Sequence, residues 1–348
     1  MSSTMQVAII GAGVIGTTTA IRLQEQFANR ISLTIFSDQF SPKTTGDISA
    51  GLWGPYQLGN TPQDKIFTWS KDTHNYFHKL WKDGVAEEAG VSLLPVTRMT
   101  TEDQSYDVPW KDVVFGCTDM TKETLERLSA EHKRKYKYGI HFNTFICEPT
   151  FFLPYLYKRI QAAGGRIERK RIESFEEVAT FDLVINCTGL GAQVLIKDDY
   201  ELKPVRGQVM RVKAPWIFDV LLDDSDDGNY IISNMHTIIL GGTHQLNDYN
   251  QNVDAGDRKF IYEGCIGMNA SIKRAEIVKE MVGLRPGRSQ VRLERDTYTT
   301  KRGKQLQIIH NYGHGGSGVT LSYGCAIEVA DIVNVVMATN VNTPKSKL

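Results

Sequence analysis

The chain has 348 residues, which at about 150 residues per domain leaves room for two domains. Forty Lys and Arg balance forty Asp and Glu without a long run of either sign, which argues against a nucleic-acid or polyanion binder, and 41% apolar residues exclude wholesale disorder. Five scattered cysteines (Cys117, Cys147, Cys187, Cys265 and Cys325) form no CxxC pair, so neither a disulfide framework nor a metal site is expected.

Met5 to Ile10, "MQVAII", is a short apolar run of the kind buried in a sheet. Gly11 to Gly16 reads as a glycine-rich turn. Thr17 to Phe27 follows as a helix, with Ala20, Leu23 and Phe27 at helical spacing, and Ile31 to Asp38 as a second, β-branched strand. The stretch from Val7 to Gly16 is too short and too glycine-rich to span a bilayer, and no basic leader precedes it. A soluble intracellular chain with no membrane partner is the expectation. Trp69, Thr73, Phe77 and Leu80 share one helical face. Phe151 to Gly165 reads as a helix with a glycine stop, and Phe181 to Gly191 as a buried strand entering a second glycine turn. Residues 207–216 and 236–245 alternate like strands of a separate antiparallel sheet. Residues 307–338 again give strand, glycine-rich turn and helix.

Nucleotide-domain pieces thus stand at the start, middle and end, with β-rich stretches between them. The expected fold class is α/β: a Rossmann-like dinucleotide domain over 1–54, 145–199 and 282–348, interleaved with an α+β substrate domain over 55–144 and 200–281 that contains a mixed or antiparallel sheet.

Gly11, Gly13 and Gly16 form GxGxxG between a strand and a helix, enclosing Ala12, Val14 and Ile15. The first glycine permits the tight turn, the second lets a pyrophosphate approach the backbone, and the third lets helix and strand pack closely. The helix N-terminus offers N–H donors and its dipole to phosphates. Asp38 ends the next strand, 22 residues after Gly16, where a carboxylate can accept from ribose hydroxyls. The motif alone does not separate FAD from NAD.

With "VAIIGAGVIG", "TTGDISAGLWGPY", "FDLVINCTGLG", "VRGQV", "LGGT", "VGLRP", "VRLE" and "HNYGHGGSGVT", the sequence resembles the D-amino acid oxidase and D-aspartate oxidase family of FAD enzymes, from about Met5 to the last residue. The resemblance implies an FAD-binding domain. Cofactor contacts would come from Gly11, Ala12, Gly13, Val14, Ile15, Gly16 and Asp38; from Thr44, Thr45, Ala50, Gly51 and Leu52; from the Ile172 backbone, Thr188 and Gly189; and from Gly315, Gly316, Gly318, Val319 and Thr320. The last group starts a helix whose N-terminus would face the negative end of a reduced flavin.

The implied reaction is oxidative deamination of a D-amino acid to a 2-oxo acid, ammonia and hydrogen peroxide, with the Cα hydrogen passing as hydride to flavin N5. Arg285 would clamp the α-carboxylate, the Tyr230 hydroxyl would assist it, and the Gly316 carbonyl would accept from the amine. No nucleophile or strong base is required. An amine oxidase for glycine or sarcosine shares the fold, but "GLRP" and "HNYGHGG" point away from it. A non-catalytic FAD-binding protein is the third class.

Two departures bear on the substrate. The segment "LLDDSDDGNYIIS" is too short for the lid of mammalian D-amino acid oxidase and lacks its extra tyrosine. Where D-aspartate oxidases carry an arginine after "LGGT", this chain has His244. Asp223, Asp224, Asp226 and Asp227 would repel a dicarboxylate if they face the site. Neutral or basic D-amino acids are therefore the expected substrates, with D-aspartate the alternative. Ser346-Lys347-Leu348 matches a peroxisomal import address, which implies an import receptor as partner and the peroxisomal matrix as location. Dioxygen would be the oxidant, and a homodimer fits the family habit.

Overall fold

The computed structural model describes residues 4–103 and 108–341. The apolar run Met5–Ile10 becomes the central strand of a six-stranded sheet ordered Arg292–Thr299, Gln305–Tyr312, Leu183–Asn186, Met5–Ile10, Ile31–Ser37, Arg166–Arg169. The pairings are parallel, except that the first two strands form an antiparallel hairpin. Successive side chains of a strand point to opposite faces. Accordingly, Val7 and Ile9 enter the main core, while Ala8 and Ile10 enter a smaller one with Phe36, Ile172, Phe175 and Ile308. Both faces are covered, which is why the strand reads as a continuous apolar run and not an alternating one.

The first helix runs Val14–Phe27, three residues earlier than the sequence suggests, so Gly16 lies inside its first turn. The third glycine is required there. A Cβ at Gly16 would stand 2.0 Å from the Gly11 carbonyl oxygen.

The second sheet has nine strands. Its path is Gln245–Leu246, Lys203–Lys213, Ile238–Gly241, Tyr230–Ser233, Val220–Asp223, Val91–Thr100, Tyr138–Cys147, Phe115–Asp119, and Glu276–Gly287 adds to Lys203–Lys213. Only Val91–Thr100 with Val220–Asp223 is parallel, so the sheet is mixed. The domain limits expected at 144/145 and 281/282 fall inside two of these strands. Glu276–Gly287 stays paired with Lys203–Lys213 through Gly287, and the chain leaves the second sheet only after that residue. Arg285 is therefore carried by the second sheet, whereas the sequence-based limits assigned it to the nucleotide domain.

Helix Gln63–Lys82 packs its buried face (Trp69, Thr73, Phe77 and Leu80) against the final helix, Gly318–Val341. That last helix is long and apolar enough to cross a membrane, and half of the stretch is buried in this structure. Leu321, Cys325, Val329 and Val333 have no exposed surface. The two helices approach closely at Gly324, whose N–H donates to Thr73 Oγ1 at 2.9 Å. A Cβ on Gly324 would lie 2.1 Å from the Trp69 carbonyl oxygen. Gly324→Ala therefore forces the helices apart and is expected to cost roughly 1–3 kcal/mol, read as a lower midpoint in urea unfolding; an unchanged midpoint would show that the packing gives way freely.

Candidate active site

A cavity of about 800 Å³ lies between the two sheets. One wall is built at the C-terminal ends of the parallel strands, from Ile10–Ile15, Phe36–Gln39 and Cys187–Gly191; the other comes from the second sheet, through Val209, Leu222, Tyr230, Ile232, Gly283 and Arg285. Open α/β sheets bind ligands at that end of their strands.

The nucleotide end follows from local backbone geometry. Gly11 has φ +109°, its N–H donates to the Phe36 carbonyl at 2.8 Å, and a Cβ there would sit 2.4 Å from the Cys187 carbonyl oxygen. Gly13 is the opposite case: a Cβ would meet no protein atom within 4 Å and would stand in the cavity. The helix starting at Val14 has no side-chain cap, so its first amides remain available to an anion. Asp38 lines the same end, with Oδ2 3.5 Å from Arg171 Nη1.

Ala12, Val14, Ile15, Thr44, Thr45, Ala50, Gly51, Leu52, Ile172, Thr188, Gly189, Gly315, Gly316, Gly318 and Val319 all lie on this wall. Several of the hydroxyls are already engaged. Thr44 Oγ1 donates to Asp47 Oδ2 at 2.7 Å in the capping box of helix Thr45–Ile48, and Thr188 Oγ1 donates to Asn186 Oδ1 at 2.7 Å. Two of the expected cofactor residues stand behind the wall. Gly16 packs on Gly11, and Thr320 Oγ1 bridges the Gly54 amide and carbonyl, at 3.1 Å each. Both support the lining through these contacts.

At the other end, Arg285 and Tyr230 meet. Arg285 Nη1 donates to the Thr243 carbonyl at 3.0 Å, and its guanidinium lies over Gly207, where a Cβ would be 2.4 Å away. The Tyr230 ring is accommodated because residues 241 and 242 are glycines: a Cβ would come within 2.2 Å of the ring at Gly241 and 2.6 Å of the hydroxyl at Gly242. Burial pushes the Tyr230 phenol up, with Arg285 opposing, so the hydroxyl is a neutral donor. The motifs "VRGQV" and "LGGT" are thus the space that Arg285 and Tyr230 need.

Sequence reasoning missed Tyr56, Arg98 and Trp110, which also line the cavity. The Tyr56 ring covers Gly316, where a Cβ would be 2.4 Å from Cδ1, and its backbone N–H donates to Ser317 Oγ at 2.6 Å. Burial raises the Tyr56 phenol as well, again opposed by Arg285. Tyr56 sits within the quoted motif "LWGPY", which was the available signal; Arg98 has no local signal.

His244 lines the cavity, as do Asp223, Asp224 and Asp226, but Asp227 does not. The expected acidic wall is largely compensated. Buried Asp223 accepts from the Tyr136 hydroxyl at 3.1 Å and pairs with Arg134 at 2.8 Å; Asp227 pairs with Arg134 at 2.6 Å; Asp224 pairs with Arg98.

A family model described as FAD dependent oxidoreductase matches residues 6–332. Human D-aspartate oxidase is 36% identical over 99% of each chain, and a D-amino acid oxidase of Dugesia ryukyuensis is 35% identical over 96% of this chain and 98% of its own. A glycine oxidase structure from Geobacillus kaustophilus superposes with a TM-score of 0.75 over 95% of each chain at 18% identity, a likeness of fold.

Burial holds two imidazoles neutral. His314 beside the cavity is pushed down to about 3, and His74 in an aromatic cluster to about 4, with His78 adding to the effect. In the unfolded chain both return to about 6.5. Between pH about 6.5 and 4 the unfolded state therefore binds more protons, and stability falls as pH falls. The Tm of His74→Phe is expected to drop less than that of the parent between pH 7.5 and 5; equal slopes would mean that His74 does not titrate on unfolding.

Proposed function

Because the chain belongs to the FAD-dependent oxidoreductase family that holds the D-aspartate and D-amino acid oxidases, we propose that it oxidises neutral or basic D-amino acids to 2-oxo acids, with release of ammonia and hydrogen peroxide. The observation that carries this reading is the Arg285–Tyr230 clamp at one end of a cavity whose other end is a phosphate-ready glycine turn.

The residues present fit FAD. The space at Gly13, the uncapped first turn of helix Val14–Phe27 and the Asp38 carboxylate suit the diphosphate and ribose of a dinucleotide. The last glycine-rich turn, Gly313–Gly318, leads into the 24-residue final helix and would support the ring end. When bound at this site, FAD would supply the redox chemistry, a two-electron oxidation of the amine to the imine coupled to two-electron, two-proton reduction of dioxygen to hydrogen peroxide.

The protein's task is placement. Arg285 spends one N–H on Thr243 and keeps the others for the substrate α-carboxylate, with the Tyr230 hydroxyl as a further donor. The Gly316 carbonyl would accept from the amine; Gly316 lines the cavity beside the Tyr56 ring. At this end the two phenols are held protonated and His314 is neutral. That suits a substrate whose amine is already uncharged when its hydrogen leaves. The D-aspartate reading is favoured by the similarity to human D-aspartate oxidase and by a further guanidinium, Arg98, on the substrate-sheet wall of the cavity.

The proposal includes import into the peroxisomal matrix through Ser346-Lys347-Leu348, which lies outside the described residues, and assembly as a homodimer.

Two substitutions test the site. Gly13→Val puts a side chain into open cavity and should leave the fold intact while abolishing FAD retention on gel filtration; a yellow variant would refute the cradle. Arg285→Ala removes a charge-assisted clamp of about 1.5–3 kcal/mol, so peroxide release from D-alanine should lose roughly 10- to 150-fold in kcat/KM. Arg285→Lys should recover little of that, because an ammonium cannot make the paired contact. Near-normal kinetics in either variant would remove Arg285 from the site.

A further inference from the structure

We propose that the Arg98–Asp224 ion pair forms the side-chain end of the substrate cavity, and that its closed, neutral state selects D-amino acids with uncharged side chains. The inference deepens the oxidase reading and rests on it.

Register places the pair. Arg98 is the partner of Leu222 across the one parallel junction of the second sheet, and Leu222 is the partner of Tyr230 on the next strand. Side chains that are partners in register project from the same face of a sheet, and all three residues line the cavity. Strands lie about 4.8 Å apart, so the Arg98 backbone is about 10 Å from that of Tyr230 along the row. Tyr230 and Arg285 fix the α-carboxylate at one point of this row. The Arg98 side chain starts two strands away on the same face, where the far end of a substrate would lie.

The pair is held from several sides. Arg98 Nε donates to Asp224 Oδ2 at 3.1 Å, its Nη2 reaches the same oxygen, and its guanidinium faces the Trp110 ring with 5.9 Å to the centroid. Asp224 donates its own N–H to the Met99 carbonyl at 2.8 Å, so the strand that carries Arg98 also fixes Asp224. The preceding Asp223 is anchored by Tyr136 and Arg134, and the following Ser225 Oγ accepts from the Thr101 N–H at 3.0 Å. The carboxylate is also felt at the clamp, since Asp224 acts on the Tyr56 phenol together with Arg285 and Tyr230.

The side chains of Arg98 and Asp224 are 19% and 33% exposed, so both charges have lost much of their water. An acidic substrate side chain must take Arg98 from Asp224, and a basic one must take Asp224 from Arg98. Each exchange leaves a partly buried charge uncompensated. An uncharged side chain leaves the pair intact. Asp226 and His244 line the same cavity and are left unchanged in every variant, so the pair is varied against a constant background.

The test uses full-length, FAD-loaded protein at pH 8 and low salt. The kcat/KM values for D-alanine, D-aspartate and D-lysine are measured in the parent, in Asp224→Asn, in Arg98→Gln and in the double variant. The parent should prefer D-alanine to both charged substrates. Asp224→Asn makes the wall more positive by one charge and should raise the D-aspartate to D-alanine ratio at least tenfold. Arg98→Gln should do the same for D-lysine. The double variant, neutral again, should return both ratios to within about threefold of the parent's. A parent that prefers a charged substrate, or single variants whose ratios stay within twofold, would overturn the proposal. Calorimetric binding of succinate against propionate gives a readout without turnover: Asp224→Asn should tighten succinate alone, at least tenfold. If the parent oxidises no D-amino acid, the oxidase reading fails, and an unchanged succinate to propionate ratio would then overturn the pair's role as well.

Discussion

A guanidinium facing a largely apolar cavity is the constraint around which the second sheet is arranged. Arg285 must be desolvated enough to grip a carboxylate and yet be held still before one arrives. The protein meets this with one backbone acceptor, the Thr243 carbonyl, one phenol, Tyr230, and space left by glycine. Gly207 lies under the guanidinium, and Gly241 and Gly242 lie against the tyrosine. Side chains at those three positions would push the clamp out of line. A one-residue slip in any of the strands concerned would turn a clamp residue to the wrong face. The long pairing of Lys203–Lys213 with Glu276–Gly287 resists such a slip near Arg285.

The clamp is useful only if its distance from the nucleotide end is fixed, and the segment from Thr44 to Gln57 sets that distance. It is tied to the second sheet through Arg211, which donates to the Asp47 carbonyl at 3.2 Å, and through Asn234, which donates to the Ala50 carbonyl at 2.9 Å. It is tied to the final helix through Thr320 with Gly54 and Ser317 with Tyr56. Thus one loop registers three bodies: the nucleotide wall, the substrate sheet and the helix that begins at Gly318. The short segment after Asp223 does not add a mobile lid to this. Asp223, at its start, is buried and bound to Tyr136, Arg134 and Ser225, which ties the turn to its neighbours.

What the sequence made legible follows from how local each requirement is. The glycine fingerprint needs only strand, turn and helix in order, and the structure has that order, with the helix starting three residues earlier than read. Arg285 and Tyr230 could be singled out through family motifs, whereas the glycines that make room for them act across strands and gave no local sign. The acidic run was misjudged for the same reason. Its countercharges come from Arg98 and Arg134, 126 residues before Asp224 and 93 before Asp227, and no window of sequence contains both partners. Two of the expected domain limits lie inside strands, because a strand's partner, and not its own composition, decides which sheet it joins.

The charge balance of the cavity ties these observations together. At the clamp, one fixed cation awaits one substrate carboxylate, and the surrounding Tyr56, Tyr230 and His314 are all held neutral by burial. With an uncharged amine, the loaded site carries no net charge, so the departing hydrogen and its electron pair move through surroundings that need little rearrangement. Further along the row, Arg98 and Asp224 cancel one another, and beyond them Arg134 offsets Asp223 and Asp227. Around the clamp, the phenols and His314 are thus neutralised by burial, and the charges of Arg98, Asp223 and Asp224 are paired. In a space of low dielectric, a single unpaired charge would dominate binding. By cancelling charges pairwise, the fold leaves Arg285 as the group that orients the substrate, and the substrate's own carboxylate completes the last pair.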